Sequence, residues 1–203
     1  MDCRNTVQRI VAILVVVGIS FPVLADPVYT YGGDFNLPIL DPSGPGGLMT
    51  MAAIEVPDPF IIRDLDVHIS ITHTSVFDLQ LFVQSPFGKR ICLNMYDFTE
   101  FFEGADYKQT IFDDEADVSI EEGEPPFTGR FRPKAIDPLN RLEVFAGESA
   151  YGFWQLQIYD MWPADTGTLD SFEIVITTPE PATAILLMLG VSLLPLFKPC
   201  RGR

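Results

Sequence analysis

The sequence predicts an all-β protein whose folded part is one antiparallel β-sandwich or jelly roll. Three observations carry this. Short segments alternate apolar and polar side chains with a period of two, and Gly- and Pro-rich turns separate them. Between Asp26 and Thr177 no 11-residue window repeats apolar residues at the 3.6-residue helical period, so helical crossovers are not expected. The chain has 203 residues, enough for one domain with a real core after both ends are set aside. Aromatics at 12% and charged residues at 20% place it among folded chains rather than disordered ones.

Residues 1–25 read as an export signal and predict a signal helix. Arg4 and Arg9 supply a positive start, Ile10 to Ile19 an apolar stretch, and Val23-Leu24-Ala25 a signal-peptidase site with the cut between Ala25 and Asp26. An uncleaved N-terminal anchor is the alternative. Residues 26–52 form a Gly/Pro-rich leader, ending in the run from Asp41 to Gly47, and regular structure is expected from about Ala53.

Residues 53–177 are the expected sandwich. The clearest strand runs from Asp64 to Thr74, with Leu65, Val67, Ile69 and Ile71 on one face and Asp66, His68, Ser70 and Thr72 on the other. Leu79, Leu81 and Val83 point inward on the next strand. Ser85-Pro86-Phe87-Gly88 then makes a type I turn into Arg90–Leu93, completing a hairpin. Phe127, Gly129 and Phe131 repeat the alternation, followed by the apolar run Leu142, Val144, Phe145. Trp154, Leu156 and Ile158 alternate with Gln155 and Gln157. The last strand sets Phe172, Ile174 and Ile176 against Ser171, Glu173 and Thr177.

Charge and cysteine usage exclude several functions. The formal net charge is −15; setting aside Asp2 and the cations Arg4, Arg9, Lys198, Arg201 and Arg203 leaves 8 cations against 27 anions, near −19. Such a surface repels nucleic acid and gives no basis for binding anionic membranes. Only Cys92 lies between the two processed ends, so no internal disulfide is available. In the apolar run Ile91-Cys92-Leu93 it reads as a buried small hydrophobe rather than a reactive thiol.

Five separated motifs, in order between Ile54 and Thr177, resemble the P/Homo B domain that accompanies subtilisin-like proprotein convertases. They are Ile71 to Thr74 with Asp78-Leu79 and Ser85-Pro86-x-Gly88; Thr110 to Ala116; Pro126 to Pro133; Gly152-x-Trp154 with Leu156, Ile158 and Asp160; and Asp165 to Phe172. The resemblance implies a galactose-binding-like jelly roll and an association with serine-type endopeptidases. Gly129 and Gly167 are expected at turn geometries closed to other residues. Trp154 and Phe172 are expected to fill the centre. His73, on the inward parity, reads as a hydrogen-bonded interior histidine rather than a general base.

Residues 178–203 resemble a PEP-CTERM sorting signal: the motif Pro179-Glu180-Pro181, the apolar stretch Ala182 to Phe197, and Lys198, Arg201 and Arg203. The resemblance implies recognition by an exosortase and delivery to the cell surface, outer membrane or extracellular matrix of a Gram-negative-type bacterium. As a tail helix, this 16-residue stretch reaches roughly 24 Å, short of the ~30 Å hydrocarbon core, which suits a transient transmembrane anchor. A plain C-terminal anchor is the alternative.

No catalytic residues are assigned. The chain has no G-x-S-x-G elbow, and His73, Ser75 and Asp78 are too close in sequence to build a nucleophile, base and orienter. Ca²⁺ is the one candidate cofactor. Asp113, Asp114 and Glu115, with Asp160 and Asp165 beside another loop, offer carboxylates for Ca²⁺; solvated acidic loops are the alternative. Tyr96, Phe98 and Tyr107, in an aromatic stretch with Phe101 and Phe102, offer rings for stacking on a sugar or for covering one end of the sandwich. The expected function is a non-enzymatic structural or adhesive surface module. The alternatives are an accessory to a separate subtilisin-like protease and a carbohydrate-binding module. Signal peptidase, exosortase, a surface polysaccharide and such a protease are the expected partners.

Overall fold

Alternation sets which way each strand faces, and long-range pairing then closes the layers. In the computed structural model, residues 25–95 and 104–179 are described. They form nine strands: β1 Val28–Pro38, β2 Leu48–Val56, β3 Asp64–His73, β4 Leu79–Gln84, β5 Arg90–Asn94, β6 Tyr107–Phe112, β7 Phe127–Phe131, β8 Gly152–Asp160 and β9 Gly167–Thr177. A five-stranded sheet runs β1-β9-β3-β6-β7 and a four-stranded sheet runs β2-β8-β4-β5. Every pair is antiparallel except β6 with β7, which is parallel. The expectation of an all-antiparallel sandwich is corrected at that pair. Among the described residues no helix is long and apolar enough to cross a membrane. Residues 1–24 and 180–203, which carry the expected signal and tail helices, lie outside the described residues.

The core lies between the sheets. Leu65, Val67, Ile69 and Ile71 of β3 and Phe172, Ile174 and Ile176 of β9 face Leu79, Leu81 and Val83 of β4 and Trp154, Leu156 and Ile158 of β8; all are buried. Trp154 anchors the centre: its Nε1–H donates to the Ala150 carbonyl at 2.9 Å, and Phe145 meets its ring edge-on at 5.0 Å. The β4–β5 hairpin forms as its residues demand, with Gly88 N–H donating to the Ser85 carbonyl at 3.0 Å and Gly88 at φ +85°.

Two segments differ from the sequence reading. The leader 26–52 holds two strands, β1 and the first half of β2, so regular structure begins at Val28 rather than Ala53. β1 carries a period-two pattern in Tyr29, Tyr31, Phe35 and Leu37, but Gly32-Gly33 interrupts it and reads as linker. In β2 the inward side chains Thr50 and Ala52 are too small to signal a strand; pairing with β8 along the whole of β2 supplies what they lack. The other correction is Leu142–Phe145, a 3-10 turn rather than a strand, which still buries Leu142 and Phe145.

Both described ends leave from one pole. Val28 pairs with Thr177, Thr178 N–H donates to the Pro27 carbonyl at 2.9 Å, and Arg63 forms an ion pair with Asp26. Ala25-Asp26 and Pro179 are therefore neighbours.

Candidate interaction surface

The two sheets present opposite kinds of outer face. On the five-stranded sheet the outward residues of β3 are Asp64, Asp66, His68, Ser70 and Thr72. Arg130 of β7 bridges Asp66 at 3.0 Å and Asp113 at 2.6 Å, and His68 stands 4.0 Å from Glu173. Burial and the nearby Asp113 push the Asp66 carboxyl up to about 6 in spite of Arg130.

The outer face of the four-stranded sheet is built mostly from uncharged groups. β8 turns out Phe153, Gln155, Gln157 and Tyr159; β4 turns out Gln80, Phe82 and Gln84; β2 adds Met49, Met51 and Ala53. Cross-strand register sets Gln84 beside Gln155 and Phe82 beside Gln157. Gln157 Nε2 donates to Gln84 Oε1 at 2.8 Å, linking the two strands by an amide row. The Arg90 guanidinium lies 3.7 Å from the centre of the Phe82 ring, and Tyr159 meets Phe82 edge-on at 5.9 Å. Arg90 and Glu55 are the charges that the strands of this face carry. In a chain of net charge −15 such a face is not a default of composition.

At the pole opposite the termini, His73 and Asp160 form an interior pair, both side chains fully buried. His73 Nδ1 lies 2.7 Å from the Ser75 carbonyl oxygen and 3.2 Å from the Ser75 nitrogen, and Nε2 faces Asp160 Oδ2 at 3.3 Å. Burial raises the Asp160 carboxyl. Asp78 beside it is pushed up to about 6, by burial first and then by Asp165 and Asp160. Asp165 accepts from Thr74 Oγ1 at 2.6 Å. The pair ties β3 to β8. The sequence put His73 inside; its partner, 87 residues away, carried no local signal.

The expected site residues are placed as follows. Asp113 is buried and ion-paired with Arg130. Glu115 N–H donates to it at 2.8 Å, and Asp114 accepts from Glu143 N–H at 2.7 Å. Against its burial, the bonds from Glu115 and Arg130 hold Asp113 below the usual carboxylate range, while its hydrogen bond and burial push Glu115 up to about 7. Asp113 and Glu115 are thus tied to each other, and Asp114 turns elsewhere. Among the described residues no group of three or more His, Cys, Asp or Glu side chains gathers as a metal-binding set. Tyr107 is not a ligand ring: it is buried in β6, stacked on Phe127 at 5.0 Å, with its hydroxyl accepting from Asn94 Nδ2 at 2.9 Å. It is the first residue of a paired strand, which turns it inward. Tyr96 and Phe98 lie outside the described residues, as do Glu180 and Pro181; Ala25, Asp26 and Pro179 lie at the shared pole. Cys92 is buried, and burial pushes its thiol up to about 12. Asn140 clamps its backbone, accepting from Cys92 N–H at 2.9 Å and donating to its carbonyl at 2.8 Å.

Gly167 serves a purpose other than the expected turn. It begins β9 with no positive φ, and an added Cβ would collide with His73 Cδ2 and the Thr72 carbonyl. Gly129 does adopt φ +99°, at the register shift between β6 and β7.

The family model described as proprotein convertase P-domain matches residues 62–176, more than half of the chain. Among curated proteins, none matches. Among solved structures, the chain is similar to the Aeromonas sobria serine protease in complex with a chaperone, at 16% identity and TM-score 0.45, over 77% of this chain and 28% of that one. The same serine protease solved by itself gives 17% identity and TM-score 0.43, over 77% and 27%. The chain thus spans less than a third of the length of those chains.

Proposed function

The chain belongs to the proprotein convertase P-domain family, and from that premise we propose that it is a non-catalytic, exported docking module of the cell surface or matrix. It binds a partner protein through the outer face of its four-stranded sheet. The observation that carries this reading is the contrast between the two faces. An acidic domain keeps charge on the outside of one sheet and lines the other with Phe82, Gln84, Phe153, Gln155, Gln157 and Tyr159. Depletion of charge with retention of aromatic residues and arginine marks the centre of protein interfaces.

The termini support display. The proposed signal cut at Ala25-Asp26 and the proposed PEP-CTERM motif from Pro179 share one pole, so a tail held by the exosortase route leaves the sheet faces and the opposite pole free. Family membership favours a subtilisin-like protease, encoded separately, as the docked protein. A second reading is recognition of an uncharged surface polysaccharide, favoured by the same row of amides between aromatic rings.

The test is a double charge substitution, Gln84→Glu with Gln155→Glu, in the full chain expressed in a producing cell. Both variant and wild type are expected at the cell surface, with the same circular dichroism. The wild type should protect a co-secreted subtilisin-like protease from thermal inactivation, and the variant should not. A glycan array separates the second reading. Equal protection by both proteins, or peptide-bond hydrolysis by the purified chain, overturns the proposal.

A further inference from the structure

A β-sandwich of this kind has four sheet edges, and three of them are defended. The free edge of β5 is covered by the 132–140 loop, through Asn140 on both backbone groups of Cys92 and Lys134 N–H on the Leu93 carbonyl at 3.0 Å. β1 is broken along its length: Gly32, Gly33 and Asn36 have positive φ, the register shifts between Asp34 and Leu37, and the strand ends in Pro38. β7 is five residues long, contains Gly129 at positive φ and exposes Arg130. These are the devices by which sheets avoid pairing with other chains.

β2 keeps only one of them, the exposed Glu55 next to its last residue. It pairs with β8 over nine consecutive residues without a register shift, and among the described residues it pairs with no other strand. From Leu48 to Ile54 it holds no proline, glycine or charge, and Leu48, Met49 and Met51 are exposed at 44%, 41% and 48%. Every second N–H and C=O of an antiparallel strand points away from its partner, and among the described residues no strand pairs with this outward row of backbone groups, which runs beside apolar side chains.

We propose that β2 is a self-association edge, and that a second copy of this chain pairs with it antiparallel about a two-fold axis near Met51. The strand's own charge distribution selects this occupant. In that register Met51 faces Met51 of the other copy, Met49 faces Ala53, and Glu55 faces Gly47. The two Glu55 carboxylates then stand eight residues apart along the strand, roughly 27 Å, well beyond the ~10 Å screening length. The two four-stranded sheets become one eight-stranded sheet with a continuous outer face on which Glu55 and Arg90 of each copy are the strand charges, and the acidic five-stranded sheets lie on the other side. An isologous contact of this kind closes at two copies and does not propagate.

The test uses sedimentation equilibrium on the full chain in mild detergent, comparing wild type with Met51→Lys and Phe87→Lys. Phe87 is exposed at the tip of the β4–β5 turn, and both variants keep the tail, so association through the tail cancels. Wild type and Phe87→Lys are expected to dimerise alike. Met51→Lys should raise the dissociation constant about tenfold or more, the cost of a charge at a paired edge. Each lysine lowers the mutual repulsion of two acidic domains, so a purely electrostatic association predicts the opposite sign. A Met51→Cys variant should form an intermolecular disulfide under mild oxidation and Phe87→Cys should not. A wild type that stays monomeric overturns the proposal. So do equal effects of the two lysines, or protection of β2 amides from hydrogen exchange that appears only with a different surface protein present. Met51 lies on that outer face as well, but the purified chain sediments with no docking partner present, so this outcome is separate from docking on the sheet face.

Discussion

Replacing Gly167 with alanine tests the packing logic of the acidic pole. The added methyl would overlap His73 Cδ2 and the Thr72 carbonyl and lie 2.9 Å from His73 Cβ. Two effects oppose. Alanine narrows the unfolded ensemble, which stabilises by about 0.4–1 kcal/mol where the native backbone tolerates it. Overpacking a filled site costs about 1–3 kcal/mol. Relief requires moving the β3 backbone or the imidazole, and the imidazole is held by the Ser75 carbonyl at 2.7 Å and by Asp160 at 3.3 Å. Breaking a buried pair outright costs about 3–5 kcal/mol; stretching it costs part of that. The expected net loss is about 2–4 kcal/mol, a large part of the ~5–15 kcal/mol that holds a domain together. Urea unfolding of the full chain, followed by tryptophan fluorescence, measures it. Gly44→Ala, with open space and no positive φ, serves as the reference and should change stability by less than about 1 kcal/mol. Gly129→Ala also meets open space but at φ +99°, so it should lose only the backbone strain, on the order of 1 kcal/mol. A Gly167→Ala protein as stable as Gly44→Ala would refute the close-approach reading.

Three further outcomes are expected. Asp78 is pushed up to about 6 from 3.8, so the folded state binds its proton more tightly and loses stability as pH rises through that window. Asp78→Asn should therefore stabilise the protein at pH 7.5 by about 1 kcal/mol after discounting for solvent, with the gain vanishing below about pH 4 in a thermal melt series. Arg130→Met leaves Asp66 and Asp113 without their shared cation and should cost about 1–3 kcal/mol at neutral pH; part should return near pH 5, where the raised Asp66 is protonated. Cys92 is buried with its thiol pushed up to about 12, so a thiol reagent should modify it in the native protein no faster than global unfolding exposes it.

Sequence alone determined the faces of the central strands. The alternations at Leu65–Ile71, Trp154–Ile158 and Phe172–Ile176 set those side chains between the sheets, because a period of two needs only local backbone geometry and water's exclusion of apolar groups. The Ser85–Gly88 turn was equally legible, since its residues fix their own dihedrals. Tertiary structure decided what depends on distant partners. β1 and the start of β2 read as linker, because Gly32-Gly33 and the small Thr50 and Ala52 carry little hydrophobic signal; they become strands only against β9 and β8. Tyr107 and Gly167 have identities visible in sequence but surroundings set by Phe127, Asn94 and His73. The charge-poor face and the regular β2 edge arise from strand order, and a local pattern holds no record of which strand stands beside which.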